Sequence, residues 1–463
     1  MVKIFIGRHQ ELKTLADQYA QPRSNLIPIY GRRRIGKSEL VLHFLRNKPG
    51  FYFLGQKAAA EANLKAFCEA AAQFHQEPLL RQSGDWEQAL REAVNRWRGA
   101  AKLIVAFDEF QWTAQAAPEV LSILQGLWDR EWNRTGRIML LVCGSQIGFM
   151  EREVLGRQSP LYGRRTTQLP MTPFNHIEAA QFHPGLQLED KAQIYFLTGG
   201  VAFYLREFEH RSIEENIRER FLDPHSVLAL EPDFLLREEL REVAPYYSIL
   251  MAVAGGATRH KDIARELGGD TRNLNYYLKQ LVRIGYLGKR HPVGNSRTPE
   301  RQVNYEISDA LLRFWFHFIY PHESQIRALS KEMAFQTIIK PGLAAYWGEC
   351  FERLCRESLP LIYAAEQISG WRAIGEYWDK KVQIDVVGVR NDNWIDLGEC
   401  RWGHVASLPA LQAELLAKAA KFPNRLNMSI GHRLFVRQSF PRRTTAGQVK
   451  LHTLRDIYHL PSR

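Results

Sequence analysis

Short apolar runs alternate with helix-like segments along the first 170 residues of the chain. The apolar runs cover residues 26–30, 51–54, 103–107 and 138–143. Between them, residues 37–46 and 59–74 carry apolar side chains at the spacing of one face of a helix. Because the runs are apolar on both sides, the alternation predicts a parallel sheet that is covered by helices on both faces.

The pattern changes after this α/β region. Residues 174–222 carry only helical patterns, which predicts a helical lid. Residues 238–310 predict three short helices and a hairpin, and the chain beyond residue 340 predicts the order helix, strand, strand, helix, strand. The expected parts are an α/β core (1–172), a lid (173–235), a three-helix and hairpin domain (236–310), an aromatic linker helix (311–340) and a C-terminal α/β domain (341–463).

Composition excludes several classes of protein. The chain has 463 residues, 45% of them apolar and 24% charged, which is typical of a globular protein with enough chain for a large core. No apolar run reaches the roughly 18 residues of a membrane span, and we expect no signal peptide. Five scattered cysteines form no zinc-binding pattern and favour a reducing cytoplasm.

The charge distribution adds a candidate partner. The chain has 62 Lys and Arg residues against 50 Asp and Glu residues, a net charge of +12. Residues 271–290 and 421–450 each hold several basic residues and no acid. A concentration of cations in the second half of the chain favours a polyanionic partner such as DNA.

Residues 31–38 match the phosphate-binding loop pattern G-x-x-x-x-G-K-[ST], and they lie between a predicted strand and a predicted helix. The loop consists of Gly31, Arg32, Arg33, Arg34, Ile35, Gly36, Lys37 and Ser38. Its glycines let backbone N–H groups approach phosphate oxygens, and the helix N-terminus adds a positive dipole end. Lys37 is expected to reach the β- and γ-phosphates and Ser38 to ligate Mg²⁺, so ATP and Mg²⁺ are the predicted cofactors.

Polar residues follow two of the apolar runs. Asp108 and Glu109 end the run at residues 103–107. We expect Asp108 to hold Mg²⁺ and Glu109 to orient and polarise the attacking water. Ser145 follows the next run, where a polar side chain can contact the γ-phosphate or the water. An ordinary cap at a strand end explains Ser145 equally well.

Arg164 lies in the loop Tyr162-Gly163-Arg164-Arg165. An arginine here can reach a γ-phosphate in its own chain or in a neighbouring subunit of a homo-oligomer. A solvated or DNA-facing arginine is an equally good interpretation of the sequence.

These motifs resemble the archaeal-type ATPase family, part of the AAA+/STAND group of P-loop ATPases that also occurs in bacteria. The resemblance rests on Phe5-Ile6-Gly7-Arg8, the phosphate loop, Phe107-Asp108-Glu109-Phe110-Gln111 and Gly144-Ser145, and covers roughly residues 1–320. It implies that Gly7 and Arg8 lie near the adenine and that Arg164 acts in trans. The lid turn of the family is often Gly-Gly-x-Pro, and this chain has Gly199-Gly200-Val201-Ala202.

The three helices and hairpin at residues 238–310 are typical of a winged helix-turn-helix. The third helix is expected at residues 271–284, with a polar face suited to base edges in a major groove. The candidate DNA-binding residues on it are Arg272, Asn273, Asn275, Tyr276, Lys279 and Arg283. Arg297 and Arg301 of the wing are expected to contact phosphates. A module that contacts protein is the alternative. The aromatic segment at residues 311–320 predicts burial between domains more than base stacking.

Three acids mark the C-terminal part. Asp385 lies inside an apolar run, Glu399 ends the next run, and Glu349 lies on the helix before them. An acid in a strand, a hairpin turn and then Glu399-Cys400-Arg401 resembles the PD-(D/E)xK nuclease core. The resemblance implies that Asp385 and Glu399 hold Mg²⁺ for phosphodiester hydrolysis, with Glu349 as an outer ligand.

Arg401 stands where the nuclease signature has a lysine, on the same strand face as Glu399. Arginine binds phosphate but does not readily give up a proton. Three interpretations stay open: an active nuclease, an inactive nuclease fold that grips DNA through residues such as Arg401, and an unrelated α/β domain with acids at strand ends.

Together these features predict an α/β multidomain protein: a P-loop NTPase parallel sheet with a helical lid, a winged helix-turn-helix and a restriction-endonuclease-like α/β domain. We expect a cytoplasmic ATPase that acts on DNA through its C-terminal half. The alternative is a STAND-type signalling switch whose C-terminal half binds a protein partner. A toxin or defence effector that uses the nuclease-like domain is a third hypothesis.

Overall fold

The computed structural model of the chain describes residues 5–209, 211–240, 242–269, 273–293, 303–425, 427–438, 440 and 449–461. The chain forms two compact units, Met1–Pro173 and Phe174–Arg463. The finer division into five parts remains a prediction. Among the described residues, no helix combines the length and the apolar character needed to cross a bilayer.

The first unit contains one parallel sheet with the strand order β2-β3-β4-β1-β5. Its strands are β1 (Asn25–Tyr30), β2 (Gly50–Leu54), β3 (Leu103–Asp108), β4 (Ile138–Gly144) and β5 (Leu169–Pro170). Its α-helices are α1 (His9–Ala20), α2 (Lys37–Leu45), α3 (Ala60–His75), α4 (Trp86–Asn95), α5 (Phe110–Ala116), α6 (Glu119–Leu127) and α7 (Ile147–Phe149). The predicted parallel sheet is confirmed, and the four apolar runs form its four longest strands.

The central strands of this sheet are buried on both faces. In β3, Leu103, Val105 and Phe107 pack into one apolar cluster. Ile104 and Ala106, which alternate with them, pack into the other. Each strand therefore reads as a continuous apolar run, and only its carboxyl end is free to present polar side chains.

The second unit begins with helices and continues into a two-stranded hairpin and a five-stranded sheet. Its helices are α8 (His176–Ala180), α9 (Leu188–Thr198), α10 (Ala202–Arg206), α11 (Ile213–Phe221), α12 (Val227–Glu239), α13 (Ala244–Ala254), α14 (His260–Glu266), α15 (Leu274–Arg283), α16 (Ala310–Phe314), α17 (Glu323–Ala328), α18 (Lys331–Ala334), α19 (Lys340–Ala365), α20 (Leu408–Ala419) and α21 (Leu454–Tyr458). Its strands are β6 (Leu287–Arg290), β7 (Asn304–Ile307), β8 (Trp371–Trp378), β9 (Gln383–Arg390), β10 (Trp394–Arg401), β11 (Ser429–Val436) and β12 (Val449–Thr453).

The five-stranded sheet has the order β12-β11-β10-β9-β8. Strands β8, β9 and β10 are antiparallel neighbours, whereas β11 and β12 run parallel to β10. The expected order of helix, two strands, helix and strand was therefore wrong, since β8 precedes the two expected strands and β12 and α21 follow β11. Strand β8 is mostly half-buried and its pairing with β9 shifts register, so it lacks a clear alternating pattern.

The aromatic segment after the hairpin is buried in the core of the second unit. Phe314, Trp315, Phe316 and Phe318 are each at most 6% exposed, in α16 and the π-helical turn that follows it. Side chains this buried offer no free face on which a base could stack, so the segment serves packing.

Candidate functional site

The phosphate loop joins the end of β1 to the first turn of α2. Gly31 has φ +153°, and an added Cβ there would lie 2.3 Å from the carbonyl oxygen of Met171. Gly36 has φ +97° and immediately precedes α2. Neither position accepts another residue without strain. The remaining members are the half-buried Arg32, Arg33 and Arg34 and the fully buried Ile35.

Lys37 lies inside this loop and is 5% exposed. Its Nζ donates hydrogen bonds of 2.9 Å to the carbonyl oxygens of Gly31 and Arg32. Burial lowers the pKa of Lys37, and the nearby carboxylates of Glu109 and Asp108 oppose that shift. The ammonium is therefore held by weak neutral partners, which phosphate oxygens can replace at low cost.

Asp108 is fully buried at the end of β3, and a residue that the sequence analysis missed positions it. The hydroxyl of Tyr52, on β2, donates a 2.6 Å hydrogen bond to Asp108 Oδ2. The backbone N–H of Glu109 donates to Asp108 Oδ1 at 2.9 Å. Burial and the charge of Asp108 raise the pKa of Tyr52, whose hydroxyl also interacts with Ser38. The structure thus brings Ser38 and Asp108, the two expected Mg²⁺ ligands, to one tyrosine hydroxyl.

Glu109 adopts a left-handed backbone conformation (φ 45°, ψ 42°) at the start of α5. This conformation is uncommon outside glycine and asparagine and is often found where a side chain must be aimed. The hydroxyl of Ser145 donates to Glu109 Oε2 at 2.6 Å, and Gln111 Nε2 donates to both Ser145 Oγ (3.1 Å) and the Glu109 carboxylate. Strand β4 lies between β1 and β3, so Ser145 at its end lies between the loop and the carboxylates.

Arg8 reaches the phosphate loop from the segment before α1. Gly7 and Arg8 both have positive φ, 65° and 59°. The guanidinium of Arg8 is 4% exposed and donates to the carbonyl oxygen of Ile35 at 2.8 Å and to Glu11 at 3.0 Å. This contact holds the backbone of the loop in place. The expected position of Gly7 and Arg8 beside an adenine remains a prediction.

Arg164 is engaged within its own unit. It forms two hydrogen bonds with the carboxylate of Asp129, at 2.8 and 2.7 Å, and two with the carbonyl oxygens of Pro160 and Tyr162. The hydrogen bonds from Arg164 lower the pKa of Asp129. A role on a γ-phosphate would require these four bonds to break. Its neighbour Arg165 is exposed and holds one long contact of 3.4 Å to the carbonyl oxygen of Leu155.

The third of the three short helices, α15, presents the polar face that the sequence predicted. Leu274, Leu278 and Leu281 are buried beneath it. The exposed candidates are Asn273, Asn275, Tyr276, Lys279 and Arg283. Arg272, Arg297 and Arg301 lie outside the described residues.

A cavity of about 370 Å³ opens between α15, the start of α14 and the hairpin. Its lining residues are Arg259, His260, Lys261, Asn275, Lys279, Lys289, Val303 and Tyr305, with no acid among them. His260 and Asn275 form a hydrogen bond of 3.0 Å across it. A concave surface with several cations and amide donors suits a polyanion.

Asp385 and Glu399 lie side by side on adjacent strands of the second sheet. The paired register of β9 and β10 ends at Val386 and Gly398, the neighbours of these two residues in sequence. Both are buried, at 5% and 0% exposure, and the backbone N–H of Cys400 donates to Asp385 Oδ2 at 3.0 Å. Burial raises the pKa of both, and the charge of Asp385 adds to the shift in Glu399.

A lysine from α20 completes this cluster, and the sequence analysis did not identify it. Lys418 Nζ lies 2.7 Å from both carboxylate oxygens of Glu399. Arg401 contacts Glu399 at 2.8 Å and Glu414 at 2.6 Å. The ammonium beside Glu399 therefore comes from Lys418 on α20, whereas position 401 on β10, where the nuclease signature has a lysine, holds an arginine.

The third acid at this place is Glu352, one turn along α19 from the expected Glu349. Burial and the charge of Asp385 raise the pKa of Glu352 to about 7. Glu349 is exposed. Side chains three residues apart on a helix differ in direction by only about 60°, so Glu349 lies at the exposed edge of the same side of α19. Its role as an outer ligand remains a prediction.

Two carboxylate sites are candidate places for a divalent cation, Ser38 with Asp108 and Asp385 with Glu399. Within the part of the chain that the structure describes, no group of three or more His, Cys, Asp or Glu side chains has the geometry of a metal site. A Mg²⁺ site needs fewer protein ligands than that, because Mg²⁺ is usually bound by one or two carboxylates together with water and substrate phosphates. Ser38 with Asp108 fits that requirement. Asp385 with Glu399 also supplies two neighbouring carboxylates, and Lys418 and Arg401 already contact Glu399.

Comparison with known proteins supports an ATPase domain in the first part of the chain. A family described as "ATPase domain predominantly from Archaea" matches residues 5–208, and one described as "Archaea bacterial proteins of unknown function" matches residues 315–412. An uncharacterised protein of Methanocaldococcus jannaschii is 30% identical over 393 residues, which cover 84% of this chain and 85% of that protein. An uncharacterised ATP-binding protein of the same organism is 43% identical over 47 residues, 10% of this chain and 80% of that protein.

A solved structure shares the fold. The Walker-type ATPase of Pyrococcus abyssi superposes with a TM-score of 0.52 and 20% sequence identity, and the match covers 67% of this chain and 96% of that one. At this identity the similarity concerns the fold alone.

Proposed function

The chain belongs to the family of P-loop ATPases found predominantly in Archaea, and we propose that it binds and hydrolyses ATP with its first unit and contacts DNA with its second. The observation that carries the first part is the convergence of Lys37, Asp108 and Glu109, three charged groups of which two are buried, at the carboxyl ends of parallel strands. A protein isolates charges in this way mainly where a highly charged substrate and its metal will meet them.

Each residue of this site has a proposed task. Backbone N–H groups of the loop and the ammonium of Lys37 bind the phosphates, and Arg8 keeps the loop in its tight path. Ser38 and Asp108 hold Mg²⁺, which when bound neutralises charge on the phosphates. Glu109 orients the attacking water and accepts its proton. Ser145 and Gln111 fix the direction of the Glu109 carboxylate.

Substitution of Lys37 tests nucleotide binding. Lys37→Ala should abolish tight ATP binding, measured by equilibrium dialysis or isothermal titration, because the loop loses its only buried ammonium among the described residues. Lys13→Ala is the matched control, since Lys13 is exposed on α1 of the same unit. Unchanged ATP affinity in Lys37→Ala, with the folded state retained, would contradict the proposed binding site.

DNA contact is the second part of the proposal, and the acid-free cavity beside α15 supports it. Contacts of cations with DNA phosphates release counterions, so the affinity should fall steeply as salt rises, by about 0.9 in log–log slope per contact. Lys279→Ala should weaken binding and reduce that slope by about 0.9. A wild-type protein that lacks DNA affinity at moderate salt would favour the alternative, a signalling switch whose C-terminal half binds a protein.

Phosphodiester cleavage is a second candidate activity, and Lys418 favours it. Two acids on adjacent strands with an ammonium 2.7 Å from one of them form a set that can hold a metal and a phosphate. Plasmid and linear DNA should be cut in Mg²⁺ or Mn²⁺ by the wild type and not by Asp385→Ala. DNA that is retained but never cut would mean that this domain only grips DNA.

A further inference from the structure

Two cavities of the second unit meet at one residue, Lys289 of β6. The first cavity is the one of about 370 Å³ beside α15. The second, of about 610 Å³, lies between β6, α19 and β8. Lys289 lines both and is exposed. The two cavities therefore adjoin along a single β-strand, which offers a path from one to the other.

The first cavity carries positive charge that is not neutralised by an ion pair with any described residue. Its four exposed cations are Arg259, Lys261, Lys279 and Lys289. Each keeps its full attraction for phosphate, since none has an acid to satisfy it in the part of the chain that the structure describes.

The second cavity is lined by three acids, Glu306, Glu357 and Glu376, and two of them are paired with arginines. Glu306 forms a 2.7 Å ion pair with Arg353, and Glu376 forms a two-bond ion pair with Arg290. These two pairs fix the walls of the cavity and reduce the repulsion that Glu306 and Glu376 would exert on a phosphate. Glu357 is exposed and accepts a 2.9 Å hydrogen bond from the hydroxyl of Tyr195. A backbone hydrogen bond also joins the segment after β6 to β8 at this wall: the N–H of Val293 donates to the carbonyl oxygen of Glu376 at 2.8 Å.

Arg356 connects the second cavity to the strand that carries Asp385. Arg356 lines the cavity and donates a 2.7 Å hydrogen bond to the carbonyl oxygen of Asp385. The same guanidinium lies 3.7 Å from Glu352. A chain that enters beside α15 and passes Lys289 therefore arrives at Arg356, directly behind Asp385.

We propose that the two cavities form one path for a single DNA strand, which runs from the face of α15 across Lys289 to Arg356 and the Asp385 site. The inference rests on the proposed DNA contact and adds the form of the substrate. A volume near 610 Å³ is that of a pocket for one small ligand. A pocket of this size suits the few nucleotides of an unpaired strand better than a duplex. Duplex DNA lies outside, on α15, and its unpaired end enters.

Lys289 gives the sharpest test, because it lies where the two cavities join. Fluorescence anisotropy would compare a blunt duplex with the same duplex carrying a 10-nucleotide overhang, over a range of salt. Wild type should bind the overhang DNA more tightly and with a steeper salt dependence. In Lys289→Ala, most of the extra salt dependence of the overhang DNA should be lost. One phosphate contact with a single strand contributes about 0.7 to the log–log slope, which corresponds to about threefold in affinity between 50 and 200 mM salt. Lys261→Ala, which lines only the first cavity, should weaken both DNAs alike.

Cross-linking supplies an independent readout. A photoreactive thymine in the overhang should attach to residues 353–376, and the same base inside the duplex should attach to residues 259–279. Equal losses for both DNAs in Lys289→Ala, or overhang cross-links confined to residues 259–279, would overturn the path. Absence of binding to either DNA by the wild type would instead refute the proposed DNA contact itself.

Discussion

The ion pair between Lys418 and Glu399 allows a prediction about stability and its dependence on pH. Glu399 is fully buried, and Lys418 Nζ contacts both of its oxygens at 2.7 Å. Removal of one partner of a buried ion pair costs roughly 3–5 kcal/mol, because the other charge remains without compensation. Here Arg401 stays at 2.8 Å and the Lys418 side chain is 28% exposed, so we expect a smaller loss of about 2 kcal/mol in Lys418→Met.

The sign of the pH dependence follows from Glu399. Burial already raises the pKa of Glu399 in the folded state, so its ionisation opposes folding. Without Lys418 the pKa of Glu399 rises further. At low pH, Glu399 is protonated in the folded and the unfolded state, so its burial carries no charge penalty. As the pH rises above the pKa of Glu399 in the unfolded state and then above its pKa in the folded state, the free-energy cost of burying its charge grows. Lys418→Met should therefore cost little at pH 4 and most at pH 8.

Native-state hydrogen exchange of the full chain measures this locally. Amides of β10 should exchange about 30-fold faster in Lys418→Met than in the wild type at pH 8, the equivalent of about 2 kcal/mol. Lys421→Met is the matched control, since Lys421 is exposed just beyond the same helix and should leave β10 unchanged. Equal exchange in Lys418→Met and wild type at pH 8, or a larger effect at low pH, would refute the role of this ion pair.

Four further variants probe the first unit. Ser145→Ala should lower kcat for ATP hydrolysis by ~100-fold with little change in KM, because Ser145 acts on Glu109 and not on bound nucleotide. An unchanged kcat in steady-state kinetics would exclude this role. Arg164→Ala and Asp129→Ala should have equal effects on turnover if the two form only a structural pair, whereas loss in Arg164→Ala alone would assign Arg164 to the nucleotide. Tyr52→Phe should destabilise β3 by about 1.5–3 kcal/mol through the lost bond to Asp108, measured by hydrogen exchange against the exposed control Tyr162→Phe; unchanged exchange would show that the bond contributes nothing.

The parts of the fold that were predictable from sequence are those with a local signal. The phosphate loop depends on eight consecutive residues, and the four longest strands of the first sheet are apolar runs of five to seven residues. Strand β8 was missed because neither signal is present: its residues are mostly half-buried and its pairing with β9 is irregular.

The functional groups that sequence reasoning missed come from distant segments. Tyr52 lies 56 residues before Asp108 and meets it only because β2 and β3 are neighbours in the sheet. Lys418 lies 19 residues after Glu399, on a helix that packs back across the strand. Neither spacing is a recognisable motif, so only the three-dimensional arrangement shows that an ammonium accompanies Glu399 although residue 401 is arginine.

Glu109→Gln tests the central claim, ATP hydrolysis at the ends of β3 and β4, most directly. The substitution preserves the size of the side chain and removes the charge that orients and deprotonates water. ATP affinity and phosphate release would be measured on the same samples, with Glu119→Gln, an exposed position on α6, as control. The account predicts that Glu109→Gln binds ATP like the wild type and releases phosphate at least about 100-fold more slowly. Wild-type turnover in Glu109→Gln would contradict it.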